Sequence, residues 1–233
     1  MGQVWRAARQ NLTVKSVVLT LGLAEALGML ISEYFRRRAI LFALILALFG
    51  LGGVAGGVAA GALDEDVRGE LARFLGAYLV HLGAPAAQEG GAVPSVAGEV
   101  LRGAGLPWLL GLSVIGAPIV LGLVFLRGVA LGFTLLFLYR ELSWRGLLLG
   151  LSGIVPHALF AVPGALLAAG ASCAFSLGAI RLLLGRRPEA NVYAQLATAT
   201  ILSLAAAALI AVGAWIQGNI SPVLIRIVAP YLL

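Results

Sequence analysis

Pro156 and His157 have the types and the setting that chemistry inside a membrane requires. They stand together in an apolar stretch, and Pro163 follows in the same stretch. A proline disfavours helix before it and leaves backbone groups unpaired, and such groups inside a bilayer must be buried in protein or line water. Residues 152–164 are therefore a candidate broken-helix site of the kind that transporters use.

A structural role accounts for the same residues, and we favour it. Pro156 can begin a membrane span near the interface, with His157 as an anchor. No acidic residue follows to complete a proton or ion relay. Arg127 is interpreted in the same way, as an arginine at a membrane boundary whose stem extends along apolar surface, rather than as an anion site.

The rest of the sequence offers little that could catalyse a reaction. It holds two histidines and a single cysteine, Cys173, which lies in an apolar run. There is no phosphate-binding motif, no metal-ligand spacing and no Ser-His-Asp series in a polar setting. The sequence therefore predicts a protein that is not an enzyme and that uses no cofactor or metal.

The composition determines the class of protein that must position these residues. Hydrophobic residues make up 61% of the chain and charged residues 11%, whereas soluble domains carry about a quarter charged residues. Between Leu106 and Ile180 only Arg127, Arg140, Glu141 and Arg145 are charged. We predict an all-α, polytopic transmembrane bundle that forms one membrane domain over residues 1–233. The net charge of +6 is then topological and does not indicate nucleic-acid binding.

Uncharged runs, and the counts of Lys and Arg between them, predict the spans and their orientation. The basic segment 1–38 is placed in the cytoplasm, the acidic segment 62–105 outside, and the C-terminus outside. Arg127 and Arg140 would then lie at opposite interfaces, and whether the short runs 128–139 and 146–155 cross or re-enter is left open. The five predicted spans are 39–61, 106–126, 125–140, 156–180 and 192–218.

The N-terminal stretch 16–31 is apolar but carries Glu25. We interpret it as an interfacial helix with one apolar face. The alternative is that Met29 is the true start of the protein.

The segment 62–105 is predicted to contain an amphipathic helix over 66–82. Leu71, Phe74 and Tyr78 recur at three- and four-residue spacing and form an apolar stripe. The stripe is a candidate contact for a partner protein, although lying on the membrane or packing on the bundle would also explain it.

Glycines recur every four residues in two places, and small residues at this spacing allow helices to approach closely in lipid. Packing within the chain is the favoured interpretation, and a homo-oligomer formed through the 53–61 face is the alternative. The glycines concerned are Gly53, Gly57, Gly61, Gly128 and Gly132.

Two stretches of the sequence resemble a known family. They are LPWLLGLSVIGAPIVLGLVFLRGVALGFTLLFLYRELSWRGLLL, residues 106–149, and SGIVPHALFAVPGALLAAGASCAFSLGAIR, residues 152–181. Both resemble stage II sporulation protein M of endospore-forming bacteria, and the resemblance covers roughly residues 36–227. The wider superfamily often has a Pro-His-Gly-x-x-Glu pattern, where this chain has Pro156, His157, Ala158 and the apolar Ala161.

The resemblance implies a role in sporulation. It implies a membrane scaffold at the septal and engulfing membrane that anchors a peptidoglycan-remodelling complex with stage II sporulation proteins P and D. Because Ala161 leaves the Pro156-His157 pair without a carboxylate, ion coupling is not expected. The alternative function is a transporter or permease subunit that uses the broken helices around the pair.

Overall fold

The computed structural model describes residues 36–83, 96–113, 115–183, 192–221 and 223–224. Two compact units are distinguished, residues 1–42 and 43–233, and of the first only residues 36–42 are described. Every regular element in the described residues is helical, so the predicted all-α class is confirmed. The predicted interfacial helix over 16–31 and the alternative start at Met29 lie outside the described residues.

Two helices form the first part of the chain. Helix α1, Ala39–Gly61, is apolar throughout, and helix α2, Glu65–Gly83, begins with two acidic residues in its first turn. Carboxylates there are favourable because they face the positive end of the helix dipole. Helix α2 corresponds to the amphipathic helix predicted over 66–82.

The next helical segment, residues 96–111, has three parts. Helix α3, Val96–Val100, continues into a π-helix, Leu101–Gly105, and then into helix α4, Leu106–Gly111. Gly103 and Ala104 are buried, and Ala104 packs with Ile210. Residues 96–105 are therefore part of the bundle, and their prediction as part of an external loop is wrong.

The chain reverses after this segment. Leu112 and Ser113 donate their amides to the carbonyls of Trp108 and Leu110, and the amide of Gly116 donates to Ser113. The hydroxyl of Ser176 also donates to Ser113 at 3.2 Å. These bonds satisfy backbone groups that the interruption of the helix exposes, as a low-polarity environment requires.

Helix α5, Gly116–Gly153, includes 38 residues with one sharp break at Ser143, which has φ 56° and ψ −142°. The predicted boundary between spans at residues 125–127 does not exist, because the helix runs unbroken from Gly116 to Leu142. The run 128–139 is thus the middle of one long helix. Charged residues misled the prediction, since Arg127 lies inside the helix and the true break lies at uncharged residues 112–115.

After Ser143 the chain folds back on α5. A Cβ added to Gly150 would lie 3.2 Å from the side chains of Leu135 and Leu138, and one added to Gly146 would collide with the Leu138 carbonyl. Residues 144–153 therefore pack antiparallel against the preceding turns. Ile154 then connects them to helix α6, Val155–Leu183.

Helix α6 and helix α7, Val192–Asn219, pack through small residues. Ala168 and Ala206 are fully buried together with Ile210. Gly164 allows close approach, since a Cβ there would lie 2.9 Å from the Ala206 carbonyl oxygen. Packing of small residues is how helices associate where lipid removes the hydrophobic drive between them.

Contacts along the helices show that their directions alternate. Helices α1 and α5 run parallel, because Gly53 faces Gly128 and Gly61 faces Arg140. The 96–111 segment and α6 run the other way, since Gly111 meets Ser172 while Gly103 and Gly164 both meet Ile210. This alternation matches that of the five predicted crossings, although the boundaries of the second and third differ.

Four helices in the described residues are long and apolar enough to span a membrane: α1, α5, α6 and α7. The 96–111 segment is about 24 Å long at 1.5 Å per residue, short of the ~30 Å hydrocarbon core. The number of crossings and the side on which each loop lies stay predictions.

Candidate functional site

The charged residues closest to one another inside the bundle are Glu99 and Arg127. Arg127 lies in α5, eleven residues after its start, and its Nη2 is 3.8 Å from Oε2 of Glu99 in α3. Both side chains are largely buried. Arg127 is therefore not at the end of a span, and its predicted position at an interface is wrong.

Small and apolar residues surround this ion pair. A Cβ added to Gly103 would lie 3.3 Å from Nη1 of Arg127 and 2.7 Å from Cδ1 of Ile210. Gly103 thus gives the guanidinium room beside the π-helix. Single stretches of π-helix inside helices are frequent at functional sites, and this one lies between Glu99 and α4.

Pro156 and Pro163 lie within one helix. Pro156 is the second residue of α6, where the missing amide costs nothing because first-turn amides have no partner in the helix. Pro163 is inside α6, which continues through it. The interruption in this region is at Ile154, before both prolines.

His157 has one buried polar atom without a partner among the described residues, Nδ1. Its carbonyl oxygen would lie 3.0 Å from a Cβ added to Gly213, and Ala161 packs against the same glycine. Ala161 is only 1% exposed, so the position that is often glutamate in the wider superfamily is here a tight contact between α6 and α7.

A second polar group forms where α1 ends and α2 begins. Arg140 donates a hydrogen bond to the Gly61 carbonyl at 2.8 Å, which satisfies an acceptor at the C-terminus of α1. The neighbouring Glu141 forms an ion pair with Arg68 of α2. The start of α2 is thus attached to α5 through Glu141.

The apolar stripe of α2 is partly accessible. Phe74 is 73% exposed, Val67 is exposed and Leu71 is half-buried. The side chain of Tyr78 lies outside the described residues. Acidic residues Glu65, Asp66 and Glu70 are also exposed, so α2 presents both an apolar and a charged face.

The glycines predicted to mediate packing lie between α1 and α5. A Cβ on Gly132 would collide with the Gly53 carbonyl, and one on Gly128 with the Phe49 carbonyl. Gly57 and Gly61 face the side chains of Leu136 and Arg140. The closest backbone approach on α1 is at Gly52 and Gly56, which meet Phe125 and Val129 of α5.

In the ranges that the structure describes, no group of three or more His, Cys, Asp or Glu side chains is placed to hold a metal ion. Cys173 is a free, buried thiol near the Ala117 carbonyl. The sites of interest are therefore the Glu99–Arg127 pair, His157 and the exposed part of α2.

A family comparison covers the same elements. The family described as stage II sporulation protein M matches residues 40–222, from α1 through α7. The chain belongs to this family. No curated protein and no solved structure matches it. Membership confirms the resemblance in the sequence and makes the chain a sporulation-related membrane protein.

Within this stage II sporulation protein M family member, sequence reasoning missed Glu99. The residue stands in a segment rich in Gly, Ala and Pro that resembles a loop, and Arg102 follows closely. Arg127 was singled out, but its partner was not. A search for an acidic residue that could compensate Arg127 inside the membrane would have reached Glu99.

Proposed function

We propose that this protein is a non-enzymatic membrane scaffold that recruits peptidoglycan-remodelling proteins at the septal and engulfing membrane during sporulation. Family membership supports the sporulation context. The apolar helices make the lipid bilayer its first partner. The expected protein partners are stage II sporulation proteins P and D, as the family resemblance implies.

The observation that carries the proposal is the presentation of α2. This helix is attached at its start to α5 through Arg68 and Glu141, yet Phe74 farther along is largely exposed. A scaffold needs an accessible apolar surface held by a rigid membrane domain, because aromatic residues contribute strongly to protein interfaces. In the proposed topology α2 lies on the extracytoplasmic side, where wall enzymes act.

Replacing Leu71, Phe74 and Tyr78 together with serine is expected to abolish co-purification with the wall-hydrolase partner. The three changes remove the apolar stripe while the ion pair of Arg68 remains. The measurement is affinity purification of the full-length protein from sporulating cells, scored for stage II sporulation proteins P and D. Membrane insertion should be unchanged.

The control replaces Asp66, Glu70 and Arg73 with serine, three residues on the charged face of α2. This variant should retain the partner, because the apolar stripe is intact. Undiminished co-purification by the stripe variant, at equal membrane abundance, would contradict the proposed use of α2.

The second candidate function is a transporter or permease subunit. The observation that favours it is polar chemistry inside the bundle: the Glu99–Arg127 pair, and Nδ1 of His157 without a partner among the described residues. Intramembrane ionisable residues often mark substrate or ion pathways.

His157→Ala separates the two functions. A scaffold is expected to tolerate it, with sporulation efficiency within about twofold of the wild type, since surface or near-surface changes without lost partners cost little. Spore counts and membrane abundance of the variant provide the measurement. A loss of spores with normal abundance and normal partner co-purification would favour transport.

A further inference from the structure

Glu99 and Arg127 are charges on segments that are otherwise apolar. Glu99 is 18% and Arg127 28% exposed at the side chain, and their charged atoms are 3.8 Å apart. A single charge at the centre of a bilayer is expensive, and such residues nearly always pair with one another. Pairing is therefore what allows both side chains to occupy this position.

A second ion pair joins α5 to the chain that precedes Glu99. Arg68 of α2 pairs with Glu141 of α5. Arg127 and Glu141 are 14 residues apart, so at 100° per residue their directions differ by only about 40°. Both ion pairs thus leave α5 on about the same side, whereas Gly132 faces α1 on another.

We propose that these two ion pairs fasten the chain between Arg68 and Glu99 to α5 at both ends. The Glu99–Arg127 pair holds the 96–111 segment inside the membrane as a separate crossing. The Arg68–Glu141 pair holds the start of α2 at the end of α1. Glu99 and Arg127 are in this sense positioning residues for the external segment.

The 96–111 segment needs such a device because its composition alone does not secure it in lipid. It is short for a crossing and carries Glu99 and Arg102. Its apolar contacts are small, with Ala104 against Ile210. A polar contact of Trp108 with Thr200, at 3.2 Å, is the other side-chain bond that attaches it to α7 in the described residues.

The local geometry is suited to the pair. Helix α3 presents Glu99 one turn before Gly103, and Gly103 lies beside the guanidinium of Arg127 without a side chain in the way. The ion pair therefore forms where the π-helix brings backbone close to α5. Only the consequence for partner binding rests on the proposed function; the crossing itself does not.

The test labels cysteines from one side of the membrane in the full-length protein, with Cys173→Ala as the background. Val96→Cys and Leu112→Cys mark the two ends of the segment, and both native side chains are exposed. An impermeant maleimide is expected to reach the two ends from opposite sides. Labelling of both ends from the same side overturns the crossing.

Charge variants test the pair itself. Glu99→Gln and Arg127→Gln each leave one unpartnered charge and are expected to lower the correctly inserted fraction by about tenfold, since breaking a buried pair is strongly destabilising. The double variant Glu99→Gln with Arg127→Gln should recover most of that loss. Equal or additive loss in the double variant overturns the pair as the cause.

Arg102→Gln is the matched control. It neutralises an exposed arginine on the same segment, three residues from Glu99, and is expected to leave insertion unchanged. Co-purification measured on the same variants keeps the two proposals apart. Normal labelling without partner binding would contradict the scaffold alone, whereas failed labelling would contradict the fastening of the segment.

Discussion

Replacing Gly132 with leucine is expected to separate α1 from α5 and to lower the free energy of unfolding by about 3 kcal/mol, the upper part of the range for overpacking. A Cβ at this position would already collide with the Gly53 backbone. The obstacle is main chain on both helices, so no side-chain rotation relieves it. Unfolding in detergent, followed by circular dichroism, measures the loss.

Leucine at Gly122 is the matched control on the same helix. A Cβ added to Gly122 has no atom within 4 Å, and leucine has a higher helix propensity than glycine by up to about 1 kcal/mol. Gly122→Leu should therefore be neutral or slightly stabilising. Equal losses from the two variants would show that helix content, rather than the approach of α1 to α5, governs the stability.

The close approach of α1 and α5 could be anticipated because its cause is local in sequence. Glycine every four residues places small residues on one helix face, and Gly53, Gly128 and Gly132 do meet across the two helices. The pattern did not reveal which pairs are closest. Gly52 and Gly56 form the tightest contacts on α1, and which glycine row faces the partner depends on the rotation of both helices.

The helix boundaries between residues 96 and 153 were predicted less well. Charged residues were assumed to mark membrane interfaces, and that assumption fails when two of them pair inside the bundle, as Glu99 and Arg127 do. The real turn at 112–115 is satisfied by backbone bonds and by Ser176 from α6. Contacts with a helix 60 residues later in the sequence cannot be read from local composition.

The turn at Ser143 was missed for a related reason. Its positive φ of 56° is a conformation that serine rarely adopts, and nothing in the sequence there resembles a glycine turn. The fold-back is stabilised instead by Gly146 and Gly150, whose lack of side chains lets residues 144–153 lie against Leu138. The second glycine pair was noticed in the sequence, but its partner was not known.

Truncating Ile210 to alanine is expected to cost about 2 kcal/mol of unfolding free energy, the low end of the range for buried isoleucine. The residue is fully buried and is the point where three segments meet: α6 at Gly164, the π-helix at Gly103, and its own helix α7. In lipid the transfer term is small because tails are as apolar as the core. The loss is mainly that of packing contacts.

Ile201→Ala provides the comparison, since Ile201 lies on the same helix and is 65% exposed. Lipid or detergent replaces its methyl groups, so its truncation should cost less than about 0.5 kcal/mol. The same unfolding measurement serves both variants. A cost for Ile201→Ala as large as that for Ile210→Ala would mean that the exposed face of α7 is covered by protein.

Adding volume back opposite Ile210 tests where the contacts are lost. A Cβ at Gly103 would lie 2.7 Å from Cδ1 of Ile210, so Gly103→Ala alone should destabilise the bundle. With Ile210→Ala present, the same methyl group enters the space that the truncation leaves, and the double variant should be more stable than Ile210→Ala alone. Additive losses would place the packing defect elsewhere, because contacting residues are expected to couple.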